Sequence, residues 1–196
     1  REEIAELVRL GVDAIQLDEP LLPRLVNPEV YHYDPRAREE VVQLSVETIN
    51  QVTEGMEPAF ITVHLCHGHG EQGDVPEGTG LMQLAMDGMR VDRLALELNS
   101  PIGRRLQSLS DFPKNRLLGM GVIVPGDEQV ETAELVVARA RAALASVPAE
   151  RLVLNADCGF ATTAGAGELP DRSYLKLQAM CAGAELLRAS HLGGKA

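Results

Sequence analysis

Five short apolar runs, each followed by polar or sulfur-bearing residues and then by a helix-patterned or Gly-rich stretch, constrain this chain more than anything else in it. The runs are Ala14-Ile15-Gln16-Leu17, Phe60 to His64, Asp92 to Glu97, Arg116 to Ile123 and Arg151 to Asn155. They are short and rich in β-branched and aliphatic residues, as buried strands are. An amphipathic helix is expected at Glu2 to Leu10, where Ile4, Leu7, Val8 and Leu10 alternate with Glu2, Glu3, Glu6 and Arg9. Further helices are expected from about Pro35 to Thr53, Leu81 to Met89, Arg104 to Ser110, Glu131 to Ser146 and Tyr174 to Arg188. The Met and Leu stripe of Leu81 to Met89 reads as core.

Strand–helix units in series imply a parallel sheet with helical crossovers. The chemically active residues gather at the C-terminal ends of the strands: Asp18, His64, Cys66, Glu97 and Cys158. That is where a (β/α)8 TIM barrel keeps its active site. An open flavodoxin-like sheet is the alternative, but no Gly-rich phosphate loop opens the first unit to support it. Eight units at the spacing seen here would need roughly 310 residues. The 196 residues therefore read as the last five βα units of one catalytic barrel domain spanning 1–196, with three strands expected upstream of Arg1.

Two of the strand ends carry metal-ligand chemistry. In Thr62-Val63-His64-Leu65-Cys66 the imidazole and the thiol are two residues apart. Strand side chains alternate between faces, so the two converge on one side, as half of a zinc site requires. A buried Cys beside a His is usually core filling, and the pair gains force only from other donors. Glu97 ends the third run, where a carboxylate in apolar surroundings needs a partner; an Arg or a backbone cap would serve as well as a metal. Cys158 follows the fifth run in Asn155-Ala156-Asp157-Cys158-Gly159-Phe160. His64, Cys66, Glu97 and Cys158 together offer one nitrogen, one oxygen and two sulfurs, a set that zinc accepts tetrahedrally.

These residues resemble the zinc site of the cobalamin-independent methionine synthases. His-x-Cys after one strand, Glu at the end of the next and Asp-Cys-Gly after the last follow that family's order. Ile15-Gln16-Leu17-Asp18-Glu19-Pro20 is similar to its IQxDEP segment. The resemblance implies zinc-dependent methyl transfer from a folate-type or other donor to a thiol such as homocysteine, giving methionine. By the same resemblance Asp18 would hold the amino group of homocysteine and Glu19 would orient it; without it, Asp18-Glu19-Pro20 reads as a capped turn. Methionine synthases proper carry a relay His after the penultimate strand, whereas Val124 to Glu128 holds none. Cys158-Gly159-Phe160-Ala161 looks instead like the CGFA/S signature of the shorter, methionine-synthase-like branch. That branch includes alkyltransferases acting on other thiols, such as coenzyme M. A zinc lyase or hydrolase on the same barrel, or a non-catalytic fragment, are the remaining readings.

Composition narrows the partners. A net charge of −11 and a pI near 4.9 argue against nucleic-acid or anionic-membrane partners. No apolar run reaches the roughly 20 residues that span a bilayer, and a cytoplasmic location is the expectation. Three widely spaced cysteines argue for reduced thiols rather than a disulfide framework. Absent Trp and 3% aromatics leave few stacking platforms for flat ligands. His67-Gly68-His69-Gly70, with Gly73, Gly78 and Gly80, reads as a lid over the site. His32 reads as a loop residue, Cys181 as core beside Met180, and His191 as part of the tail. Oligomeric state is not encoded in any of these features.

Overall fold

A computed structural model of the chain describes residues 1–25, 35–57, 59–66, 80–99, 109–160 and 170–192. The expected lid over residues 67–79, His32, and most of the segment expected as a helix at Arg104 to Ser110 lie outside the described residues. Within the described residues five strands form one sheet: β1 (Ala14–Glu19), β2 (Phe60–Leu65), β3 (Arg93–Leu96), β4 (Leu117–Ile123) and β5 (Leu152–Ala156). They lie in sequence order and every neighbouring pair is parallel. The helices are α1 (Glu2–Arg9), α2 (Leu22–Leu25), α3 (Pro35–Thr53), α4 (Gly80–Gly88), α5 (Ala133–Leu144) and α6 (Pro170–Leu192). The architecture is the expected α/β one, TIM-barrel-like, with a sheet that does not close on itself.

Register explains why one face of this sheet is oily and the other polar. Leu17, Val63, Leu94, Leu118 and Leu152 lie level across all five strands, and Leu65, Leu96, Met120 and Leu154 form the next row. These residues belong to or pack against the core cluster, together with Val42, Val46 and Ile49 of α3, Met82 and Met86 of α4, and Val136 of α5. The Met stripe of α4 is thus core, as its spacing implied. Because side chains alternate along a strand, the other face collects Gln16, Thr62 and Arg93 in one row and Asp18, His64, Ala95 and Gly119 in the next. Arg93 Nε donates to Thr62 Oγ1 at 3.1 Å across that face.

Helix placement is fixed by a few buried polar contacts. Asn50 on α3 donates to the Gly88 carbonyl at 2.9 Å and accepts from Arg90 N at 2.7 Å, completing the end of α4. Thr132 caps α5 by accepting from Leu135 N at 3.2 Å. At Gly183 on α6 a Cβ would lie 2.5 Å from Val136 Cγ1, so α5 and α6 approach closely only because that position has no side chain. Lys176 on α6 is fully buried. Its Nζ donates to the carbonyls of Val124 and Gln129 at 3.0 and 2.7 Å and to Glu131 Oε2 at 2.9 Å. Cys181, expected in the core, is exposed. α6 is long, and its polar and apolar residues are mixed around the helix, so adjacency to half-buried Met180 did not place Cys181 on the inward face.

Candidate metal centre

Three of the four expected ligands meet at the C-terminal edge of the polar face. His64 is the penultimate residue of β2, Cys66 follows that strand, and Cys158 lies just past β5. A ligand atom from each lies within 4.8 Å of the others. Cys66 Sγ and Cys158 Sγ are 3.0 Å apart, and Cys158 Sγ is 3.6 Å from His64 Nε2. Bonds of about 2.0–2.3 Å from one shared ion would span nitrogen–sulfur and sulfur–sulfur separations of roughly 3.3–3.8 Å. The sulfur pair, at 3.0 Å, is closer than that span, and a metal bound between them would displace the thiol protons.

The imidazole is turned for this task. His64 is 8% exposed, and its Nδ1 lies 3.1 Å from the Ala95 carbonyl on β3. A carbonyl only accepts, so Nδ1 carries the proton and Nε2 keeps its lone pair toward the sulfurs. This is the arrangement by which ligating histidines are oriented. Burial pushes the His64 pKa down most strongly, but the Cys66 hydrogen bond and charge, the Ala95 carbonyl and the charge of Asp18 together hold it above the usual value. The Cys158 thiol is pushed far up by its hydrogen bond to Cys66, by burial, and by the charges of Cys66, Glu97 and Asp157. A second thiol and two carboxylates gathered around the Cys158 thiol oppose its ionisation and form a place where a cation is favoured. The donor set therefore fits zinc.

Glu97 is buried just past the end of β3 and close enough for its charge to act on Cys158. It does not join the group of three whose ligand atoms converge. Asp18 stands opposite His64 in the β1–β2 register, exposed, with its carboxylate held by Gln16 Nε2 at 3.0 Å. Glu19 takes the other face. Its Oε1 accepts from Leu21 N at 3.0 Å and Leu22 N at 2.9 Å, capping the start of α2. The loop after β4, Val124 to Glu131, carries no His. Asn99 and Asp157, both buried beside the site, were given no role of their own in the sequence, although Asp157 stands in the Asp-Cys-Gly segment. Their only signal there was that Asn155 and Asp157 alternate in the strand pattern immediately before Cys158.

The chain belongs to a known family. Residues 1–184 match the model described as the cobalamin-independent synthase catalytic domain. The chain is 28% identical over 189 residues to a methionine synthase of Saccharolobus solfataricus, with 95% of this chain and 48% of that protein covered. It is 27% identical over 194 residues to a 5-methyltetrahydropteroyltriglutamate–homocysteine methyltransferase of Streptomyces avermitilis, covering 98% of this chain and 23% of that one. The chain thus spans about half, or less, of the length of these curated relatives. Among solved structures it superposes on a B12-independent methionine synthase from Shewanella sp. W3-18-1 bound to selenomethionine. That match has a TM-score of 0.76 at 25% identity and covers 98% of this chain and 53% of the other. No helix among the described residues is long and apolar enough to cross a membrane.

Proposed function

We propose that this chain carries the zinc half of a thiol methyltransferase, with a small thiol such as homocysteine as acceptor and a folate-type compound as methyl donor. The convergence of His64 Nε2, Cys66 Sγ and Cys158 Sγ carries this reading, and the names of its relatives support the direction of transfer. A zinc ion bound there would supply one thing, a substrate sulfur that is thiolate at neutral pH. The protein's own part is to hold and orient. The Ala95 carbonyl fixes the His64 tautomer. Glu97, buried beside the sulfurs, would be the fourth donor to the ion, an oxygen. Asp18, exposed at the level of His64, has the charge to receive the ammonium group of an amino-acid thiol; Glu19, engaged at α2, would act only through the backbone it caps. In the transfer the sulfur–carbon bond forms as the carbon–donor bond breaks; the proton lost when the thiol becomes thiolate balances the one the departing donor takes up.

The test is to add homocysteine to the cobalt-loaded chain and follow thiolate-to-metal absorption, then to assay labelled methyl transfer with the donor. Saturable absorption on adding the thiol is expected, weakened about tenfold or more in affinity by Asp18→Asn. Hydrolytic turnover in the absence of any thiol would instead support a lyase or hydrolase. A second acceptor is favoured by one observation: the loop from Val124 to Glu131 lacks a His, and Cys158-Gly159-Phe160-Ala161 follows β5. If coenzyme M or another sulfonated thiol saturates the absorption at lower concentration than homocysteine, the chain is an alkyltransferase of that kind.

A further inference from the structure

The Asp157 carboxylate reaches across a strand. β3 and β5 are separated by β4, yet Asp157, just past β5, accepts from Leu98 N at 3.0 Å (Oδ1) and from Asn99 N at 3.0 Å (Oδ2), both just past β3. The crossing passes over Gly121 of β4, where any Cβ would lie 2.9 Å from Asp157 Cα and collide with the carboxylate. Two more bonds tie the intervening strand to the same knot. Asp157 N donates to the Ile123 carbonyl at 2.8 Å, and Asn99 Nδ2 donates to the Gly121 carbonyl. The β4–β5 register shifts between Gly121 and Ile123, two residues of β4 facing one step of β5. Such a bulge re-aims the residues next to it. Asp157 is 1% exposed, and Leu98 and Asn99 are 9% and 8% exposed, so water does not compete for these bonds.

The knot joins the residue before Cys158 to the residues after Glu97. We propose that Asp157, with Asn99 and the bare backbone of Gly121, is a positioning clamp that sets where Cys158 stands relative to His64, Cys66 and Glu97, and so sets the metal affinity of the site. The inference rests on the metal site proposed for these residues. A carboxylate accepting two backbone N–H groups holds both strand ends at once. An amide has only one oxygen, and its NH2 would face a donor.

The experiment uses Co(II) as the probe and the full chain. Asp157→Asn is expected to raise the cobalt dissociation constant about tenfold or more and to weaken the thiolate-to-cobalt absorption. Val136→Ala, in the α5–α6 interface far from the site, serves as a control that lowers the melting temperature. It is expected to leave affinity and spectrum unchanged. Asn99→Ala, which leaves the carboxylate in place, is expected to give a smaller loss of affinity of the same sign, and it stands in should Asp157→Asn not fold. Unaltered cobalt affinity and spectrum in the folded clamp variants would overturn the clamp alone, as would equal losses in Val136→Ala. No cobalt binding by the unaltered chain would overturn the metal reading and the clamp with it.

Discussion

Two buried polar clusters among the described residues are built on opposite electrical plans. Under the loop after β4, Glu131 is balanced by the Lys176 ammonium at 2.9 Å and by Arg139 at 3.2 Å. Burial pushes the Glu131 pKa up more than any single opposing influence. The Val124 N–H and Lys176 together still hold it below its usual value. At the strand ends, Cys66, burial, and the charges of Glu97 and Asp157 push the Cys158 thiol the other way. A cluster that settles its own charge serves as a joint between elements; one whose members oppose a thiol's ionisation is a candidate site for a cation from outside. Burial alone would not have told them apart.

The largest effect should come from breaking the balanced cluster. Lys176→Met leaves Glu131 buried without its ammonium and is expected to cost about 3–5 kcal/mol, read by urea unfolding. Against a typical stability of about 5–15 kcal/mol that is a severe loss. The double variant Lys176→Met with Glu131→Leu should recover part of it, because the buried carboxylate goes with its ammonium and Arg139 keeps its bond to the Val122 carbonyl. If the double variant is as unstable as the single one, the pair is more than a joint.

The same deletion at the frustrated cluster should have the reverse profile. Cys158→Ser is expected to lower zinc affinity about 100-fold or more, measured by competition with a chromophoric chelator. After chelation its unfolding midpoint should equal or exceed that of the unaltered chain, since a thiol that resists ionisation has been replaced by a smaller polar group. A large drop in that midpoint would erase the contrast between the two clusters.

Acid separates the two clusters in a third way. Glu131 has its folded pKa depressed. It therefore contributes stability that is fully present above its unfolded value of about 4.3 and is lost as pH falls through the lower folded value. Unfolding free energy measured from pH 7 to pH 3 should fall in that window, and Glu131→Gln should flatten the fall. A slope unchanged in Glu131→Gln would place the acid sensitivity elsewhere.

Much of this was legible in the residues, for a physical reason. Periodicity reports local geometry, so α3 was found at Pro35–Thr53 and the five strands in their order. That His64 and Cys66 share a face was legible because side chains alternate along a strand, whereas Cys158 was singled out by its place after the fifth run and by the family's order. What escaped depends on partners distant in the chain. β1 and β2 each run one residue past a polar side chain because Glu19 pairs with Leu65. α5 begins at Ala133 rather than Glu131, with Thr132 as its cap, and Glu131 instead bonds Lys176, 45 positions away. A lysine in a helix reads as solvated surface until the carbonyls of Val124 and Gln129 are seen around it. Asn99 and Asp157 were missed for the same reason: their bonds join residues 58 positions apart.

The smallest effect expected is also the most discriminating, because it acts on the boundary of the balanced cluster without touching a charge. Thr132 follows Glu131 directly and caps α5 through its hydroxyl. Thr132→Ala removes one capping bond and is expected to cost about 1 kcal/mol in urea unfolding, while Thr132→Ser should cost only a few tenths. If the joint and the metal centre are energetically separate, zinc affinity should stay within about twofold in both variants. A matching drop in affinity would instead mean that the loop after β4 transmits between the clusters. The path would run along β4, whose carbonyls at Val122 and Gly121 are held by Arg139 and Asn99 respectively. The measurement therefore decides whether the two plans are independent or are two ends of one strand's support.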